Sequence, residues 1–373
     1  MFSFTKYVHY FLNKELSELY LSVAIRTFAL SLISIFVPIY MLNLGYSLVD
    51  VLGFYIIYYI FHGTFSFFAA KLSLKIGFKH SMILTVPFLI LFYILLYTIT
   101  TYNWPLALLA LVGAINNAIF WIAFHVDFVK SSVKRKRGEE LSIFRVITYI
   151  LNIFGPLLGA VVISFMNFHY LFVLVSILLV FSLVPLFFSK DIRVSKKISF
   201  KKIFRVQSWK NSVVFFGNGI ETATGGVIWP VFIFLIVGGY LSLGIIASVA
   251  TFFSLISVLA VGRLCDKFKR RSILKVGSVT QSAAWFFKLF VTTGPEIILV
   301  NTFSGIVNSL KDLPLNIMLY DKADKRNVVE FIVFREIVIA LGRIALFSII
   351  AVLLALSGGL ILASLASLSY LLF

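Results

Sequence analysis

The sequence predicts an all-α polytopic membrane protein, with twelve transmembrane helices in two pseudo-symmetric six-helix bundles. Three observations carry that prediction. Of 373 residues, 61% are apolar and only 13% are charged, against roughly 45–50% and ~25% in a soluble domain. The basic residues gather in alternate loops. Segments of the first half also return, in order, in the second. Disorder is excluded, because 41 Phe, 16 Tyr and 5 Trp supply abundant burial. The single cysteine, Cys265, rules out an internal disulfide and a cysteine-rich metal site.

A bilayer-crossing helix needs about 20 mostly apolar residues, because a backbone in hydrocarbon must satisfy its own hydrogen bonds. Twelve segments qualify: Leu19–Leu42, Leu48–Ala70, Ser81–Ile99, Pro105–Phe128, Leu141–Phe165, Tyr170–Phe188, Val213–Val237, Leu241–Gly262, Ser272–Thr292, Ile297–Tyr320, Val329–Leu356 and Leu360–Phe373. The last is short for a full crossing. No signal-peptide pattern precedes Leu19. Phe4, Tyr7, Val8, Phe11 and Leu12 have the helical spacing of a segment lying on the membrane surface. The domain organisation follows as residues 1–190, a linker over 191–210, and residues 211–373.

Of the 33 basic residues, 27 fall before the first span or in alternate loops, and the opposite loops hold none. The positive-inside rule then places both termini in the cytoplasm, with the chain integral to the inner (plasma) membrane. This asymmetry and contact with anionic lipids at those loops account for the +18 charge, so nucleic-acid binding is not expected. Phe200, Ile203 and Phe204 interleave with lysines in the linker, which suits an interfacial helix.

The repeat is legible at a nearly constant offset. Residues 70–79 align with 262–271, Pro38 with Pro230, and Gly113 and Asn116 with Gly305 and Asn308, all 192 positions apart; Phe144-Arg145 aligns with Phe334-Arg335 at 190. An even number of spans per repeat gives both halves the same orientation, with the pseudo-axis along the membrane normal.

On these residues the chain resembles the major facilitator superfamily over its whole length. The loop pattern G-x-x-x-D-R/K-x-G-R/K-R/K matches Gly262, Asp266, Lys267, Arg270 and Arg271, with Lys269 in place of the second glycine. The first copy has Leu74 where the acid belongs. Gly155, Pro156 and Gly159 match the core of the antiporter motif, here read as a hinge or packing element, while Leu151 and Ala160 replace its outer glycines. Leu109 stands where proton antiporters carry a fourth-span arginine. The resemblance implies two bundles rocking about a midplane site lined by the first, fourth, seventh and tenth spans, and a monomer.

Six basic residues fall within spans: Arg26, Arg145, Lys288, Lys311, Arg335 and Arg343. A charge at a helix centre costs about 2.5–3.5 kcal/mol on insertion scales, so it faces a cavity or a partner. Arg26, Asn116, Asn117, Glu221, Asn308, Lys311, Asp312 and Arg343 are the expected substrate cavity. Glu221 is the expected proton-coupling carboxylate; Asp312 competes with it, held ionised by the adjacent Lys311. Gly262, Asp266, Lys267, Arg270, Arg271, Arg145, Arg335 and Glu336 are assigned to a cytoplasmic gate, with Asp266 latching to Arg145 and Arg335 pairing with Glu336 or Glu330. Lys288 is expected to snorkel at the outer end of a peripheral span. His62 and His125 read as packing residues.

No metal-ligand spacing, phosphate-cradling loop or nucleophile elbow occurs, so no enzyme, metal or cofactor is expected. The expected function is secondary active transport of a small organic solute by alternating access, with proton-coupled antiport or efflux as its form. One alternative is an anionic or zwitterionic solute or a lipid headgroup. Another is a non-transporting receptor or assembly factor on the same fold.

Overall fold

In the computed structural model the chain is helical, with no strand among the described residues, which are 14–132, 137–188, 198–205, 208–323 and 328–373. The segment from Phe4 to Leu12 lies outside them, as do the side chains of Arg263 and Asp266. Twelve spans follow in order. The first is Lys14–Ser31 continued by Val37–Asn43, the second Leu48–Ile76, the third Phe78–Tyr97 and the fourth Leu106–Ser131. The fifth is Arg137–Phe165, and the sixth is Phe168–Phe181 continued by Val184–Phe187. The seventh runs through Trp209–Ala223, a π turn over Thr224–Ile228, and Trp229–Val237. Tyr240–Lys267, Arg270–Phe287, Gly294–Lys322, Val328–Leu353 and Leu356–Leu368 complete the set. Eight of these are long and apolar enough to cross a membrane by length and composition alone. The others are the broken first span, the charge-bearing ninth and tenth, and the short twelfth.

The paired prolines leave matching marks. Pro38 opens the second piece of the first span, after a turn at residues 32–36. Pro230 opens the last piece of the seventh, just after its π turn. Proline has no N–H to bond the carbonyl one turn back and its ring crowds that carbonyl, so a helix breaks or widens ahead of it. A single residue, Gly77, separates the second and third spans, at φ 99°. Only glycine adopts that backbone without strain. Ser47 with Asp50 and Thr293 with Glu296 close capping boxes at the starts of the second and tenth spans.

Within the first six spans, the second and third pack on the fourth, and the fifth on the first. Within the last six, the eighth and ninth pack on the tenth, and the seventh on the eleventh. The two largest interfaces between the halves are the fifth span on the eighth and the second on the eleventh, and the pseudo-two-fold exchanges them. Gly155 and Gly159 of the fifth span abut Ser31 and the Leu32 carbonyl, at the break in the first. A Cβ at Gly244 would sit 2.6 Å from both the Pro156 carbonyl and Ala160 Cβ. Small residues here let backbones approach closely, as lipid-embedded helices require. Large apolar side chains such as Phe165, Leu235, Leu299 and Val352 are exposed, as lipid-facing residues are.

The linker does form a helix, Phe200–Arg205. Ile203 is buried, Phe200 meets Phe67 of the second span and Phe204 meets Phe334 of the eleventh, with ring centroids 5.6 and 5.9 Å apart.

Candidate functional site: a polar cavity between the halves

A cavity of about 880 Å³ lies between the two halves, lined by spans of both. All eight residues expected to form the substrate site line it.

On the wall of the last six spans, Glu221 lines the cavity just ahead of the π turn. Its buried carboxylate accepts hydrogen bonds from Lys311 Nζ at 2.9 Å, Trp285 Nε1 at 3.1 Å and Tyr370 OH at 2.6 Å. Asn218 Nδ2 donates to the same tyrosine oxygen at 3.1 Å. Lys288 is 2% exposed, with Nζ 3.9 Å from the ring centroid of Trp285 and 4.7 Å from that of Trp229. It therefore does not snorkel to the surface. Two indole faces draw it inward, because they offer a desolvated cation the negative side of their quadrupoles.

On the wall of the first six spans, Arg26 donates to Asn116 Oδ1 at 2.8 Å and Thr85 Oγ1 at 3.4 Å, with its guanidinium 4.0 Å from the Phe120 centroid. Its Nε–H is buried and has no partner among the described residues. Arg343 donates to Thr222 at 3.3 Å and lies over the ring of Tyr59. Asn308 lines the cavity, whereas Asn117 donates to His62 Nδ1 at 3.1 Å.

Toward the basic end, bonds between the halves are polar and dense. Arg145 pairs with Asp312 at 2.7 Å. Arg137 of the fifth span and Arg270 of the ninth share Asp321 of the tenth, at 2.9 and 3.0 Å. Glu336 holds its neighbour Arg335 and accepts from His62 Nε2 at 3.3 Å. Arg335 donates to His125 Nε2 at 3.0 Å, so His125 carries its proton on Nδ1 and donates to Tyr320 OH at 2.7 Å. Both histidines thus bridge the halves rather than merely pack. At the opposite end the closure is aromatic: Tyr240 bonds Asn43 and meets Phe36 and Phe168, with centroids 6.3 and 5.5 Å away.

Two pairings differ from expectation. Lys311 serves Glu221 rather than the adjacent Asp312, and Arg145 takes Asp312. Successive helix residues point about 100° apart, so neighbours in sequence face different spans. The expected latch partner, Asp266, has its side chain outside the described residues. Arg335 does pair with Glu336. Of the other gate residues, Gly262 faces Ser142 of the fifth span, while Lys267 and Arg271 are exposed. Sequence reasoning left Lys288, Trp285 and Tyr370 out of the site. The spacing of Trp285 and Lys288, three apart on one helix face, is the one signal that pointed to a cation over a ring. Among the described residues, no group of three His, Cys, Asp or Glu side chains is placed to hold a metal ion.

A bundle of twelve spans around a central polar cavity is the build of a membrane transporter. A model of the Major Facilitator Superfamily matches residues 19–240, more than half of the chain, and the chain belongs to that family. It is a multi-pass integral membrane protein that carries a solute, not an enzyme. Three solved transporters share the fold. A bacterial homologue of the iron transporter ferroportin, in an outward-facing state, matches with TM-score 0.73 and 14% identity, covering 96% of this chain and 98% of that one. The human organic anion transporter MFSD10 matches with TM-score 0.71 and 11% identity over the same shares. The E. coli fucose:proton symporter FucP matches with TM-score 0.69 and 12% identity, over 95% and 96%. No curated protein sequence matches the chain.

Proposed function

We propose that the protein is a secondary transporter that moves an organic anion through the central cavity by alternating access. One observation carries the substrate class. Six cations line the cavity, and each of its three carboxylates already holds one of them: Glu221 holds Lys311, Asp312 holds Arg145 and Glu336 holds Arg335. Among the described residues, Arg26, Lys288 and Arg343 have no carboxylate at ion-pair distance. An intramembrane cation left without a carboxylate is a site awaiting one from the solute. The rings of Tyr58, Phe120, Trp229 and Trp285 supply an apolar wall for the rest of the molecule.

The positive-inside rule supports a cytoplasmic position for the end of the bundle that carries the basic loops, against anionic headgroups of the inner membrane. On that reading the polar inter-half bonds are a cytoplasmic gate, the Gly155-Pro156-Gly159 contact with the broken first span is its hinge, and Tyr240 closes the outer side. Proton coupling then suits Asp312 better than Glu221. Glu221 is held by three donors of its own half, whereas Asp312 loses Arg145 whenever the halves part.

Purified protein tests the substrate class through thermal shift and liposome flux with benzoate, benzamide and benzylamine. Benzoate should stabilise the protein and enter proteoliposomes, with the other two inert. Equal or stronger effects of benzylamine would refute an anion site. Flux of none of the three, with benzoate nonetheless bound, would favour a receptor role.

A further inference from the structure

The three free cations are not equivalent. Arg343 is only partly buried and its guanidinium is anchored to Thr222. Arg26 and Lys288 are 5% and 2% exposed, on opposite walls of the one cavity. Each is built in the same manner, as a cation laid over aromatic faces. Arg26 lies on Phe120, and Lys288 lies on Trp229 and Trp285.

The indoles under Lys288 are fixed from behind. Trp229 Nε1 donates to Asn301 at 3.0 Å, and Trp285 Nε1 donates to Glu221 at 3.1 Å. Asn301 is in turn tied to the Ile246 carbonyl. Both rings are therefore preorganised to face the ammonium, which is how a binding point differs from a chance contact. The π faces stabilise the cation without neutralising it, and they accept none of its N–H groups in a conventional hydrogen bond. Glu221 lies close enough to act on this lysine electrostatically, but its oxygens bond Lys311, Trp285 and Tyr370 rather than the Lys288 ammonium.

Resting on the anion reading above, we propose that Lys288 is a second anion-binding point and that the solute is an organic dianion, spanning from Arg26 in the first six spans to Lys288 in the last six. A monoanion neutralises only one wall. A molecule with an acidic group at each end of an apolar body neutralises both and ties the two halves together across the cavity.

The test uses full-length purified protein and three probes: benzoate, terephthalate and biphenyl-4,4′-dicarboxylate. At least one dicarboxylate should bind about tenfold or more tightly than benzoate, the gain expected of a second charge-assisted contact. Lys288→Gln should abolish that dicarboxylate's advantage over benzoate, both measured on the same variant. Lys288→Arg should keep the advantage, which guards against Lys288→Gln failing to fold. If benzoate binds but neither dicarboxylate gains, or if Lys288→Gln keeps the gain, the dianion proposal is overturned and the anion reading stands. If none of the three binds the unaltered protein, the anion reading itself has failed.

Discussion

The two walls of the cavity come from one repeat, yet they solve the problem of buried charge in different ways. On the first wall the Arg26 guanidinium is met, among the described residues, by neutral groups only: Asn116, Thr85 and the face of Phe120. On the second, Glu221 sits at the centre of a closed cluster with Lys311, Trp285 and Tyr370, and Trp285 passes the contact on to Lys288. At the 192-residue offset, Glu221, Lys311 and Lys288 align with Ala29, Ile119 and Leu96, and Arg26 aligns with Asn218. The scaffold is repeated, but apart from Arg145 and Arg335 the charges that line the cavity are not. The Glu221 cluster on the second wall reads as a self-satisfied unit, whereas Arg26 on the first wall, like Lys288 beside that cluster, needs a solute. Each prediction below tries to break that distinction.

The largest effect is expected at the centre of the cluster. Glu221→Leu strips an acceptor from three donors and leaves the Lys311 ammonium buried without a counter-charge. Removing one partner of a buried pair typically costs about 3–5 kcal/mol, so the melting temperature in detergent should fall steeply. Adding Lys311→Met should recover most of the loss, because removing both charges also removes the unpaired one. Were the double variant as unstable as the single, the cluster would not be a unit of charge and the contrast between the walls would dissolve.

A smaller effect is expected where the two halves meet. Arg145 and Asp312 are partly exposed, at 30% and 22%, so screening weakens their pair. Arg145→Gln and Asp312→Asn should each open the basic end. The readout is the rate at which a thiol reagent added from that side labels Asn308→Cys in a Cys265→Ser background. The double variant should match the singles, with a coupling of about 0.5–3 kcal/mol. Additive rates would show that the pair does not hold the gate and that the bonds of His62, His125 and Arg137 suffice.

Much of this was readable before any coordinates. Twelve apolar runs, the one-sided basic loops and the paired Pro38 and Pro230 carry the fold, because hydrocarbon leaves the backbone so few options. The depth of Arg26, Glu221 and Lys311 marked the cavity for the same reason. The pairings were not readable. Glu221 finds Lys311 and Tyr370 across 90 and 149 residues, and nothing in local spacing encodes which of two adjacent side chains, Lys311 or Asp312, turns to which neighbour. Lys288 was misplaced because its position near a span end suggested the lipid surface. Its burial depends on Trp229 of another helix. The histidines were underestimated likewise, since a lone His in a span shows its role only when the opposite half supplies Glu336 and Tyr320.

The smallest change in stability is expected at Arg26, and it separates the walls most sharply. Arg26→Met removes a buried charge that, among the described residues, no carboxylate compensates and whose Nε–H has no partner. The loss of its bonds to Asn116 and Thr85 is offset by relief from burying the charge, and methionine retains much of the packing on Phe120. The melting temperature should therefore move little, by the equivalent of about 1 kcal/mol or less, while benzoate binding disappears. Arg26→Lys should keep the charge yet bind benzoate more weakly, since an ammonium cannot offer the planar fork that grips a carboxylate with two bonds. A fall in stability as large as that of Glu221→Leu would mean that Arg26 is structural after all. The first wall would then be a second self-satisfied unit, and the anion site would rest on Lys288 and Arg343 alone.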